Sequence, residues 1–140
     1  MESGRYAVYE PIAAGGMASV HLGRLCGPVG FSRIVAVKRM HQRYAMDPEF
    51  VAMFLDEARL VARIKHPNVM PTLDIVANER EVSLVMEYVH GESLSRLLKN
   101  ARIDNAPVPL GIVCAIMSAS LHSLHAAHEA TSERGEPLGL

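Results

Sequence analysis

Charge of either sign is not in excess in this chain. Fourteen Lys and Arg stand against fifteen Asp and Glu over 140 residues, for a formal net charge of -1. No electrostatic case exists for nucleic acid or an anionic membrane surface as a partner. Cysteine is scarce: Cys26 and Cys114 are the only two, far apart in sequence. That excludes a disulfide scaffold, and with no signal-like segment ahead of them it leads us to expect reduced thiols in a cytoplasmic protein. Long hydrophobic runs are missing too. The most apolar stretch, Leu110 to Leu121, is interrupted by Gly111, Ser118 and Ser120, so no membrane segment is expected. Neither internal repeats nor low-complexity segments occur. What is present is a composition of 49% hydrophobic and 21% charged residues, that of one modest globular domain or part of a larger one.

Alternating βα units are also lacking. From Tyr6 to about Met40 the pattern is strand-like: "RYAVYEPIA", "ASVHLGRL" and "RIVAVKRM" are short Val, Ile and Tyr runs separated by glycine. Asp47-Pro48-Glu49 then opens a helix, with Asp47 as cap, Pro48 in the first turn and Glu49 on the favourable end of the dipole. It should run to about Lys65, where His66-Pro67-Asn68 stops it. "VMPTLDIVAN" and "EVSLVMEYV" predict two more strands around a polar turn at Asn78 to Arg80. A short helix at about Ser93 to Lys99 and a long one at about Leu110 to Ala130 complete the chain. The expected class is α+β: a five-stranded antiparallel sheet with one main helix, followed by further helices.

The stretch "IAAGGMASVHLG", Ile12 to Gly23, bears on function. It has the look of a glycine-rich phosphate loop with glycines missing, since Ala13 and Ala18 stand where G-x-G-x-x-G has its outer two. Most Gly-Gly pairs are plain turns, and a lone imperfect motif is weak. A dinucleotide fingerprint needs a helix after the glycines, and here a strand follows. The pattern G-x-x-x-x-G-K-[ST] is absent. If the loop holds phosphate, it does so as the tip of a hairpin.

Two charged residues stand where charge is costly or usefully placed. On a helical wheel Glu57 falls between Met53 and Phe54, inside the apolar arc of its helix, and a carboxylate there needs a cation or strong donors. Lys38 ends "VAVK", sharing a strand face with Ala36, while Val35 and Val37 face the other way. A sheet lysine held by a helix glutamate becomes a located point charge for phosphate. The plain alternative is a solvent-facing lysine and a glutamate at the helix rim.

Taken together, the glycine hairpin, "VAVK", the helical glutamate followed by "HPNV", and "LVMEYVHGESL" resemble eukaryotic-like serine/threonine protein kinases, bacterial members above all. The resemblance runs from Tyr6 to Leu140. It implies a kinase N-lobe over residues 1–90 and the first helices of an incomplete C-lobe over 91–140. It implies ATP as ligand, with Ile12, Ala13, Ala14, Gly15, Gly16, Met17, Ala18, Ser19 and Val20 covering the phosphates. Lys38 would contact the α- and β-phosphates and Glu57 would hold Lys38. Val20 and Ala36 would sandwich the adenine, Met86 would be the gatekeeper behind it, and Glu87, Tyr88 and Val89 the hinge. Gly15, the middle glycine, is kept, whereas the alanines are expected to stiffen the loop and leave a degenerate loop of an inactive kinase as an open reading.

The departures from the family lie downstream. H-R-D-x-x-x-x-N and D-F-G do not occur in these 140 residues. Neither catalytic base nor magnesium ligand is therefore expected in this chain, although the complete kinase would use Mg2+. The helix from Leu110 to Leu124 is apolar almost all round, so either the remainder of a C-lobe or a partner protein is expected over it. His122, His125 and His128 swing around that helix and predict no metal site. The expected function is the ATP-binding portion of a kinase acting on protein Ser/Thr. The alternative is a non-catalytic kinase-like module that binds nucleotide or protein.

Overall fold

The computed structural model describes residues 2–3, 5–78, 81–132 and 134–138. The expected turn at Asn78 to Arg80 falls partly on Glu79 and Arg80, which lie outside the described residues. The chain divides into two compact units, Met1–Ile64 with Met70–Tyr88, and Lys65–Val69 with Val89–Leu140.

The first unit is built on an antiparallel sheet of β1 (Glu2–Ser3), β2 (Tyr6–Ala14), β3 (Ala18–Cys26), β4 (Ser32–Met40), β5 (Thr72–Asn78) and β6 (Glu81–Glu87). The spatial order is β1-β2-β3-β4-β6-β5. The five expected strands all form, and the two-residue β1 adds a short edge. Pro11 has no N–H to give to the ladder, and the β2–β3 register shifts on either side of it. Central strands β4 and β6 are covered on both faces, with Val35 and Val85 fully buried. Alternation sorts β4 into two clusters. Ala36 and Met40 pack with Phe54, Ala58, Val82, Leu84 and Met86, while Val35 and Val37 pack with Tyr6 and Val85. The sheet curls strongly enough for strands distant in its order to meet: Tyr6 Oη donates to Asp74 Oδ2 at 2.7 Å.

Two helices follow β4. The first, α1 (Gln42–Ala45), has no counterpart in the expected order, because a single turn leaves no periodicity to read. The second, α2 (Pro48–Arg63), starts as the cap signals predict, with Asp47 Oδ1 accepting from the Glu49 amide at 2.9 Å. Only Phe54 and Ala58 of α2 are buried. Its sequence arc is therefore broader than the stripe it buries, and Met53 remains half exposed.

The second unit contains α3 (Leu94–Ile103) and α4 (Leu110–His128). Ser93 caps α3 by accepting from the Arg96 amide, and the helix runs one turn beyond the expected end at Lys99. His66 Nδ1 accepts from the Asn68 amide and lies 3.3 Å from Ser123 Oγ, which places the Lys65–Val69 segment against α4. Thr131 pairs with Pro137 after α4. By length and composition α4 qualifies as a membrane-crossing helix, with a mean hydropathy of 1.5. The expectation of no such segment came from interruptions in the apolar run, which length and composition alone do not register. Ser120 and Ser123 return their hydroxyls to the carbonyls of Ile116 and Ala119, so neither breaks the helix nor adds a free polar group. No residue of α4 is buried.

Candidate functional site

The sheet ladder fixes most of the expected nucleotide residues. Val20 lies opposite Lys38 across β3 and β4, and Ala36 lies opposite Met86 across β4 and β6. Ala36 and Met86 are buried in one cluster, against which Val20 and Tyr88 pack. The alternation that puts Ala36 on this face puts Lys38 there too, two residues further along β4. Lys38 Nζ lies 2.9 Å from Glu57 Oε1 and 5.3 Å from the centre of the Phe54 ring. The structure thus brings Lys38 and Glu57 together. It does not bury Glu57, whose side chain is 56% exposed against 29% for Lys38. A pair so exposed contributes about 0.2–1 kcal/mol. Its consequence is positional: a long flexible lysine is held at one place by a carboxylate and an aromatic face.

The loop between β2 and β3 is a tight hairpin, with the Gly15 amide donating to the Ala18 carbonyl at 2.8 Å. Ile12, Ala13, Ala14, Gly15 and Gly16 are exposed, whereas Met17, Ser19 and Val20 are half-buried and Ala18 is buried. Ala13 pairs with Val20 and Ala18 with Met40. No residue of the loop has a positive φ. The alanines at positions 13 and 18 therefore sit in ordinary strand backbone without strain, and the Ala18 methyl fills core space. A Cβ at Gly15 would lie 3.3 Å from the Ala18 carbonyl oxygen, while one at Gly16 would meet nothing within 4 Å. The constraint at Gly15 is close backbone approach rather than left-handed conformation.

At the far end of β6, the Glu87 amide donates to the Pro71 carbonyl at 3.2 Å and its carboxylate pairs with Arg33. These contacts anchor the start of the expected hinge. Val89, in the second unit, is exposed, and its carbonyl accepts from the Gly91 amide. His122, on α4, donates from Nδ1 to the Ser118 carbonyl.

Sequence reasoning missed His41 and Arg43. His41 Nε2 lies 3.2 Å from the Gly15 carbonyl, Arg43 Nη2 donates to the Gly16 carbonyl at 3.0 Å, and the His41 amide donates to the Met17 carbonyl at 2.9 Å. The only available signal was a polar run, "HQR", placed between a strand and the cap at Asp47.

Comparison with known proteins identifies the family and the fold. Residues 6–131 match the protein kinase domain family, a span that includes α4. A tyrosine-protein kinase of Myxococcus xanthus, MasK, is 39% identical over 98% of this chain, which covers 21% of that protein. A serine/threonine-protein kinase of Mycobacterium tuberculosis, PknL, is 38% identical over 90% of this chain and 30% of its own length. The crystal structure of the PknI kinase domain of Mycobacterium tuberculosis superposes with a TM-score of 0.69 at 28% identity, over 92% of this chain and 50% of that one. The chain thus spans half the length of the kinase domain it superposes on and under a third of these curated relatives. With a matched sheet, a matched fold and a family match from β2 past the end of α4, the chain belongs to the protein kinase domain family.

Proposed function

We propose that this chain is the ATP-binding part of a protein kinase that transfers the γ-phosphate to serine or threonine of a protein. The observation that carries the reading is the Lys38–Glu57 pair, 2.9 Å long, on the sheet face that also carries Ala36. A nucleotide gains from a lysine held in place by a helix glutamate, because a fixed cation meets its phosphates without reorganising. The donor set fits such an anion: a located ammonium, and a hairpin whose Gly16 and Met17 amides meet no protein acceptor among the described residues. Val20, Ala36 and Met86 supply the apolar walls for an adenine, and Glu87, Tyr88 and Val89 its hinge.

The family also uses Mg2+. On the proposed reading this chain's share of the chemistry is to hold the nucleotide. Serine and threonine are proposed as acceptors because relatives named as serine/threonine kinases dominate, although MasK is named a tyrosine kinase. Free thiols at Cys26 and Cys114 support a cytoplasmic setting.

Calorimetry with Mg-ATP tests the reading. Binding that is lost in Lys38→Met supports it, and no binding by the parent chain overturns it. Radiolabelled ATP with a generic protein substrate separates the catalytic steps. We expect no transfer by these 140 residues, since H-R-D and D-F-G are absent from them. Binding of a partner protein without nucleotide would favour the non-catalytic module instead.

A further inference from the structure

The three carbonyls at the hairpin tip all point to one short segment. Gly15 O meets His41 Nε2, Gly16 O meets Arg43 Nη2, and Met17 O meets the His41 amide, at 3.2, 3.0 and 2.9 Å. A carbonyl only accepts, so His41 Nε2 carries its hydrogen in this contact. His41 occupies the N-cap position of α1 but its side chain makes no capping bond. Its ring is committed to the loop instead. Arg43 is braced in turn, its guanidinium lying 4.7 Å from the centre of the Tyr44 ring.

Peptide geometry turns these contacts into an orientation. No peptide bond among the described residues is cis. In a trans unit the carbonyl of one residue and the N–H of the next point in opposite directions. Holding Gly15 O and Gly16 O toward His41 and Arg43 therefore aims the N–H groups of Gly16 and Met17 away from them. Those two amides have no protein acceptor among the described residues. Donation into the carbonyl also polarises the attached N–H, strengthening it as a donor.

We propose that His41 and Arg43 are positioning residues of the phosphate loop, fixing its peptide planes so that the Gly16 and Met17 amides face an anionic phosphate. Flexibility that glycine would supply is unnecessary when the planes are held by external donors. The inference rests on the nucleotide reading of this hairpin, and its test separates the two.

Four variants of the 140-residue chain are needed: His41→Ala with Arg43→Ala together, Arg43→Ala alone, and the donor-keeping Arg43→Lys and His41→Gln. Hydrogen exchange read by mass spectrometry, at low micromolar protein without nucleotide, follows residues 12–20. The double variant should exchange there faster by about threefold to tenfold, the worth of one or two modest hydrogen bonds. Peptides from β4 and β6 should be unchanged, which excludes general unfolding. Affinity is then compared for ATP and for adenosine. The double variant should lose about threefold to tenfold for ATP and nothing for adenosine, with Arg43→Lys and His41→Gln keeping most of the ATP affinity that alanine loses. Unchanged exchange over residues 12–20 with β4 and β6 intact, or equal losses for ATP and adenosine, overturns the proposal. Should the parent bind neither ligand, the nucleotide reading falls and takes the phosphate role with it, while the exchange data still decide whether His41 and Arg43 order the loop.

Discussion

At the residue scale, Lys38 and Glu57 form a pair that is weak as a source of stability and that, on the proposed reading, matters for where it holds the lysine. With Glu57 more than half exposed, removing the pair should leave stability nearly unchanged. Glu57→Ala is expected to shift the unfolding free energy by less than about 1 kcal/mol in a urea titration. Lys38→Met removes the cation proposed to meet the nucleotide and should weaken Mg-ATP by about tenfold or more, read by calorimetry on the same samples. Equal and large losses of stability in both variants would mean that the pair is structural. Tyr6 behaves differently. Burial, then the hydrogen bond to Asp74 and its charge, push the phenol up to about 12, against the smaller opposing effect of Arg5. A group raised in the folded state stabilises it below the unfolded value, here 10.0, and that contribution disappears as pH climbs toward 12. Stability should therefore fall between about pH 10 and 12, and the fall should be reduced in Tyr6→Phe. Absorbance titration should show one of the four tyrosines ionising late.

At the element scale, α2 is the part that carries Glu57 to the sheet, and its two anchors differ in kind. The Asp47 cap satisfies one exposed amide, so Asp47→Ala should cost about 1 kcal/mol. Phe54 is 3% exposed and lies between Lys38 and the core. Phe54→Ala should cost about 3–5 kcal/mol by opening a cavity. It should also raise mobility at the lysine, so ATP affinity falls with stability. Thermal melts together with nucleotide titration check the contrast: the cap variant loses stability alone, the core variant loses both. β3 offers a second check on packing. A Cβ at Gly23 would lie 2.8 Å from Val37 Cγ2, so Gly23→Ala should destabilise by about 1–3 kcal/mol through overpacking, measured in the same melts.

At the scale of the whole chain, the exposed apolar side chains of α4 bear on solution behaviour. Leu110, Ile112, Met117, Leu121 and Leu124 are each about half exposed or more. Each large side chain left in water forgoes part of about 1.5–3 kcal/mol of burial. Several together rival the whole stability of a small domain, about 5–15 kcal/mol. The 140-residue chain should therefore self-associate, and a version ending before Pro107 should be more soluble while the sheet unit still melts cooperatively. Light scattering and thermal melts on both decide. A monodisperse 140-residue monomer with a sharp melt contradicts this account of α4. The family match includes this helix, and the superposed kinase domain is twice as long as the part matched, which supports the remainder of such a domain as its cover.

The strands, α2 and its cap, and the helical character of 110–128 were determined by local sequence, because alternation, an Asp-Pro helix start and a long apolar stretch rich in Ala, Leu and Ile are properties of neighbouring residues. So was the sharing of one strand face by Ala36 and Lys38, a consequence of the two-residue repeat. Tertiary structure decided what depends on residues distant in sequence. The meeting of Tyr6 with Asp74 follows from the curl of the sheet, not from either segment. The wheel put Glu57 inside the apolar arc, yet how much of that arc is covered depends on the width of the sheet beneath, and the carboxylate stays half in water. The alanines at 13 and 18 looked like a loss of loop freedom, but cross-strand pairing put both in extended backbone where none was needed. Nothing in "HQR" announced that its donors would hold the loop carbonyls, since His41 and Gly15 are brought together only when β3 folds back along β4.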